Sequence, residues 1–209
     1  MPREREGTPR DPTAFVRRLE EGITSLVDRR DRVALAYSGG LASTLLAMVA
    51  RKRCDLECCV AGFGESADVR AAAAAKQHLD YRITTVLLDA AETRRIGERM
   101  RISWPNPLRD ATTTLLPLAA VLERDKGQVW LAGFGSPRIS PLIAAEMRRL
   151  EVRTPLVDVS GGRTLPRSLL RDAATFLGLP NEWARVRHRA PANGAGIAQF
   201  LGSLARNMR

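Results

Sequence analysis

Lysine is nearly absent from this 209-residue chain: Lys52, Lys76 and Lys126 are the only three. The basic balance is therefore carried by arginine, and the formal net charge is +10. A guanidinium keeps its charge and offers a planar fork that suits phosphate oxygens, so this balance favours an anionic partner such as a nucleotide. The arginines are scattered and aromatic residues make up only 5% of the chain, which argues against a nucleic-acid-binding surface. Long apolar runs are missing too, so no membrane-spanning segment is expected. The N-terminus is charged from Arg3 onward and has no signal-peptide core, so a soluble, cytoplasmic protein is expected. Cysteine is limited to Cys54, Cys58 and Cys59, with no Cys-x-x-Cys pair and no histidine beside them. That excludes a redox motif or zinc cluster and leaves buried thiols, with Cys58 and Cys59 on opposite faces of one strand.

The chain is long enough to bury one sizeable core. Residues 1–10 read as a disordered tail, and residues 11–209 as a single domain. Asp11 before Pro12 forms a helix start, followed by Phe15, Leu19, Ile23 and Leu26 on one face. Val33-Ala34-Leu35-Ala36 is an unbroken apolar run, as in a strand covered on both sides. Tyr37-Ser38-Gly39-Gly40-Leu41-Ala42-Ser43 follows it, then a helix with Leu41, Leu45, Met48 and Val49 facing inward. Strand, glycine turn and helix bring backbone N–H groups and a helix N-terminus onto an anion. Ser38 and Ser43 add hydroxyls there, and Gly39 and Gly40 allow close approach to phosphate. Further strands are expected near 57–63, 81–88 and 128–132, with helices at 69–79, 90–100 and 111–124 between and after them. The two prolines of Trp104-Pro105-Asn106-Pro107 place a loop over 101–110. From Pro141 onward the pattern is helical: 141–150, 165–177, 182–186 and 197–207. This alternation predicts an α/β fold, a doubly wound parallel sheet with helices on both faces and a helical C-terminal part packed on the same core. Ligands of such sheets bind beyond the carboxyl ends of the strands, where the loops at 38–43, 62–66 and 133–138 lie.

Five stretches in order carry a family resemblance. Ser38-Gly39-Gly40-Leu41-Ala42-Ser43 resembles the pyrophosphate-binding loop of asparagine-synthase-type ATP pyrophosphatases, the PP-loop family. Gly62-Phe63-Gly64-Glu65-Ser66 with Asp68, and Leu131-Ala132-Gly133-Phe134-Gly135-Ser136, resemble its loops after the second and fourth strands. Glu151-Val152-Arg153-Thr154-Pro155-Leu156 with Asp158, and the helix from Leu165, resemble its later segments. Arg189 stands where its closing basic segment has a lysine. The resemblance implies that ATP, or another adenine nucleotide, is held by Tyr37, Ser38, Gly39, Gly40, Ser43, Gly62, Phe63, Ala132 and Gly133, with Arg189 as the catalytic cation. It also implies magnesium, adenylation of a carboxylate, and attack by an amine on the acyl-adenylate: an AMP-forming carbon–nitrogen ligase of asparagine biosynthesis.

The departures bear on that chemistry. Ala42 stands where the family has a magnesium-binding aspartate, and Pro137-Arg138 where it has an Asp-Glu pair. The sequence therefore names no metal ligand, though Glu65, Asp68 and Asp158 are acids that could contribute. The chain opens on Met1-Pro2 without a cysteine nucleophile or a glutaminase domain, so an amine would come free or from a separate glutaminase partner. Three readings follow: an active ligase, a non-catalytic nucleotide-binding or partner subunit, and an RNA-modifying relative. His78 reads as structural, while His188, in Arg187-His188-Arg189, could face phosphate.

Overall fold

Unbroken apolar runs can form strands only where both faces of a sheet are covered, and the computed structural model covers them with two helical layers. It describes residues 11–27, 32–103, 109–124, 129–133, 141–185 and 190–207. In chain order the elements are α1 (Pro12–Leu26), β1 (Arg32–Ala36), α2 (Leu41–Ala50), β2 (Asp55–Gly62), α3 (Ala67–His78) and β3 (Ile83–Leu87). Then come α4 (Ala90–Ser103), α5 (Arg109–Leu122), β4 (Val129–Ala132), α6 (Pro141–Arg149), β5 (Val152–Arg153) and α7 (Pro155–Ser160). The chain continues with α8 (Arg167–Phe176), α9 (Asn181–Ala184), α10 (Pro191–Gly194) and α11 (Ile197–Asn207).

The five strands are parallel and lie in the order β3-β2-β1-β4-β5. The chain builds outward from β1 to β3, then returns to the other side of β1 with β4. The reversal between β1 and β4 opens a crevice at their carboxyl ends, because the connections on either side of it leave toward opposite faces.

Period-two alternation splits the core between those faces. Val33, Leu35, Cys58 and Val60 pack with α1, α2, α3, α7, α8 and α9. Ala34, Cys59, Ala61, Trp130 and Ala132 pack with α4, α5, α6 and the start of α11. Cys58 and Cys59 thus point to opposite faces, as their adjacency in a strand requires. Burial, reinforced by the neighbouring Cys59, pushes the Cys58 thiol up to about 12. The C-terminal helices pack onto the same core: Leu169, Leu170 and Ala173 of α8 in one layer, Ile197 of α11 in the other.

Local signals account for the best-defined ends. The Asp11 carboxylate accepts the N–H groups of Thr13 (3.3 Å) and Ala14 (2.9 Å), and Pro12 opens α1. Phe15, Leu19 and Ile23 are fully buried on the predicted face, with Leu26 partly so. Several boundaries differ from expectation. Helix α4 runs on to Ser103 and α5 begins at Arg109, so the predicted 101–110 loop is shorter, since a proline excludes helix only from the residue before it. Strand β3 starts at Ile83, leaving Tyr81 to pack its ring edge-on against Tyr37. Strand β5 and helices α7 and α10 were not expected, because two to six residues are too few to display a period.

Leu45 of α2 is fully buried between the helical layer and the sheet. Leu45→Ala is expected to destabilise the protein by about 2–5 kcal/mol in urea denaturation, the range for an apolar cavity. A loss below about 1 kcal/mol would mean that α2 is not fixed on the sheet as described.

Candidate functional site: the β1–α2 turn

Strand β1 hands over to α2 through Tyr37, Ser38, Gly39 and Gly40. The Tyr37 N–H extends the β1–β2 pairing by donating to the Cys59 carbonyl oxygen (2.8 Å). Its side chain belongs to the core, where the phenol is hydrogen-bonded to Thr44 Oγ1 at 3.1 Å. Burial holds that phenol well above its usual pKa, so it is neutral, and Tyr37 faces the turn only through its backbone.

Gly39 has φ of 67°, where side chains with a β-carbon are strained. A β-carbon there would also lie 2.4 Å from the Ala71 Cβ of α3. Two independent reasons thus require glycine. Gly40 is the N-cap of α2 and has no side chain to cap it. The first-turn N–H groups of α2 therefore face the turn without a side-chain acceptor, at the positive end of the helix dipole.

The two serines knit the turn together. Ser43 Oγ donates to the Gly40 carbonyl oxygen (2.9 Å) and lies 3.3 Å from both Ser38 Oγ and the Ser38 nitrogen, whose N–H it accepts. Ser38 Oγ accepts a long bond from the Gly40 N–H (3.4 Å). Ala42 is half-buried in the first turn of α2 and brings no donor or acceptor side chain.

Beyond the crevice, β4 ends at Ala132, buried and paired in register with Ala36. A β-carbon on Gly133 would stand 3.0 Å from the Ser43 nitrogen and 3.2 Å from its Cα, so β4 can close on α2 only through glycine. On the other flank, Gly62 ends β2 and Phe63 turns outward. The Phe63 N–H donates to the Ala195 carbonyl oxygen (3.0 Å), and its ring packs on Phe200 with centroids 5.3 Å apart. Tyr37, Ser38, Gly39, Gly40, Ser43, Gly62, Phe63, Ala132 and Gly133 thus lie along one edge of the sheet, the carboxyl ends of β1, β2 and β4. Arg189, His188, Pro137 and Arg138 lie outside the described residues.

The acids do not gather. Glu65 is exposed and pairs with Arg70 at 3.7 Å. Asp68 is buried against Gly194, and Asp158 is exposed on α7 beyond the edge strand β5. Among the described residues no three of histidine, cysteine, aspartate and glutamate come together as a metal centre. Ala42 adds no ligand in the first turn of α2, so any magnesium there would be held mainly by phosphate oxygens. Ser66 and Asp68 were named from sequence with the loop after β2, whereas Ala71 and Ala195, which also shape this edge, were not. Their signal was only glycines at 194 and 196, whose partners are remote in the chain.

A glycine turn and an uncapped helix placed where strand order reverses are the means by which PP-loop proteins hold nucleotide phosphates. Fold and site together define an adenine-nucleotide-binding domain of that class. Residues 15–139 match the family model described as asparagine synthase, and the chain belongs to that family. A comparison with curated proteins yields no match. Among solved structures, NMN synthetase from Francisella tularensis shares the fold, with a TM-score of 0.56 at 12% identity over 93% of this chain and 87% of the other.

The steric demand at Gly39 can be tested against its neighbour. Gly40 has an extended backbone, and a β-carbon there would approach only Ser38 Oγ, at 3.2 Å. Gly39→Ala is expected to cost about 1–3 kcal/mol of stability by chemical denaturation, and Gly40→Ala clearly less. Equal losses would show that neither the positive φ nor Ala71 dictates the residue.

Proposed function

We propose that this chain binds ATP with its phosphates on the 38–43 turn and its adenosine along the ends of β1, β2 and β4, and uses it to adenylate a carboxylate. A carboxylate oxygen of the acceptor bonds to the α-phosphorus, and the bond to pyrophosphate breaks. An amine nitrogen then attacks the acyl carbon, AMP leaves with the electron pair of the broken bond, and the amine gives up a proton. The observation that carries the reading is the uncapped first turn of α2 at the strand reversal. Membership of the asparagine synthase family supplies the reaction class.

The residues have distinct tasks under this reading. First-turn N–H groups of α2 receive the phosphates, and the helix dipole offsets part of the charge that builds on pyrophosphate as it leaves. Ser38 and Ser43 keep the turn in shape before the ligand arrives, which removes reorganisation from the binding step. Gly62, Phe63, Ala132 and Gly133 bound the space for adenosine. Arg189 supplies a fixed positive charge to the phosphates and, since it cannot readily give up a proton, takes no part in proton transfer. Magnesium bound to the ATP phosphates would supply further positive charge to the leaving pyrophosphate.

Ala42 favours a second reading, a nucleotide-binding subunit without turnover. Pyrophosphate release from ATP in the presence of aspartate and ammonia separates the two, with calorimetric ATP binding as the control. Binding with release supports the ligase. Binding without release for these or other carboxylates supports the subunit, and absence of binding overturns both.

Two substitutions report on the phosphate end. Arg189→Ala is expected to weaken ATP binding by about 1–3 kcal/mol, the range for charge-assisted hydrogen bonds, and to leave adenosine binding nearly unchanged. Equal losses for both ligands would assign Arg189 to the fold. Ala42→Asp is expected to make ATP affinity more dependent on magnesium; identical titrations with and without the metal would show that position 42 does not govern metal binding here.

A further inference from the structure

Helix α3 touches both halves of the candidate site. Ala71 lies under Gly39 of the phosphate turn, at the 2.4 Å approach that excludes a β-carbon. One turn earlier, Asp68 lies under the closing segment 190–196. An ideal β-carbon on Gly194 would fall 2.2 Å from one Asp68 carboxylate oxygen and 2.4 Å from the other, so α10 rests by bare backbone on that carboxylate. Asp68 is only 8% exposed. At the start of the same helix, Ser66 is buried, and its Oγ has no hydrogen-bond partner among the described residues. A β-carbon on Gly62 would sit 2.5 Å from that oxygen and 3.1 Å from the Ala195 carbonyl oxygen. A buried hydroxyl without a partner is costly, so its position reflects how closely the end of β2 and the segment at Ala195 crowd it. The closing segment, the end of β2 and the phosphate turn are therefore all set against the first two turns of α3.

We propose that Asp68 and Gly194 form a registration contact that couples the closing segment to the phosphate turn through α3. Seating α10 on Asp68 fixes the axial position of α3, and with it the Ala71 surface against which Gly39 folds. Linkage makes the effect reciprocal: a ligand that orders the 38–43 turn also holds α10 down. Both are positioning residues and neither touches the ligand. The identity of that ligand rests on the nucleotide reading above; the mechanical coupling does not.

The test combines size-relief substitutions with two measurements, amide hydrogen exchange of the free protein and calorimetric ATP affinity. Gly194→Ala is expected to speed exchange at 190–196 and also at 38–43, and to weaken ATP binding by about tenfold, within the range of measured coupling. Adding Asp68→Ala makes room for the new methyl and should return exchange at 38–43, and ATP affinity, to the level of Asp68→Ala alone. Adding Asp68→Asn, which keeps the size, should give no rescue. Should Asp68→Ala fail to fold, Asp68→Ser takes its place as the smaller side chain. Gly64→Ala, where an added β-carbon meets nothing within 4 Å, is the control and should leave 38–43 unchanged. Exchange in Gly194→Ala that rises only at 190–196, or losses that simply add in the double variant, would overturn the coupling. If the parent protein binds no ATP, the nucleotide reading fails, and the exchange pattern alone decides the coupling.

Discussion

A β-carbon on Gly39 would meet Ala71, one on Gly133 would meet Ser43, and one on Gly194 would meet Asp68, each at 3.0 Å or less. Exclusion of the β-carbon at these three points is the constraint on which the carboxyl edge of the sheet depends. It brings the β1–α2 turn onto α3, the end of β4 onto α2, and the backbone of the closing segment onto the Asp68 side chain of α3. Interiors are packed too densely to absorb a displaced methyl cheaply, so each contact fixes a distance. The first-turn N–H groups of α2 gain their position from that rigidity. They are aimed by the sheet, by Gly133 behind Ser43 and by Ala71 beneath Gly39.

Aim matters because the available electrostatic term is modest. A helix N-terminus contributes about 0.3–1 kcal/mol toward an exposed anion and up to ~2 kcal/mol in a partly buried geometry. A triphosphate therefore needs several such donors at once, with further positive charge. The chain's net charge of +10 supplies a favourable background, although screening over about 8–10 Å in physiological salt leaves only nearby arginines effective. Arg95 and Arg99 are tied into ion pairs with Glu92 and Glu123 around α4, so these two charges are spoken for locally. Ala42 brings no charge to the first turn of α2, so the helix N-terminus keeps its full attraction for an anion there.

The sheet and its helical layers were legible in the sequence because their signals are local and dense. Val33-Ala34-Leu35-Ala36 can be buried on both faces only in a parallel sheet, Asp11-Pro12 caps a helix by itself, and adjacent Cys58 and Cys59 must face opposite ways in a strand. The phosphate turn was legible as a motif. Its side-chain assignments were less so: Tyr37 reads as part of the motif, yet its ring is drawn into the core by Thr44 and Tyr81. Strand β5 is two residues long and was invisible to any period. The contact between Asp68 and Gly194 was beyond reach for a different reason. It joins residues far apart in the chain through a glycine that carries no chemistry of its own, and only the topology brings them together.

Fold and reaction therefore rest on different classes of residue in this chain. The scaffold is specified by small and apolar residues, Gly39, Gly133, Ala71 and the two-sided strands, within the segment that matches the asparagine synthase family. The proposed reaction would draw on charges placed on the same scaffold, and position 42 offers none. Helix α2 stands without a side-chain cap where Gly133 and Ala71 hold it. The first turn of α2, without a side-chain cap and with an uncharged methyl at Ala42, presents its N–H groups in the arrangement that favours an anion.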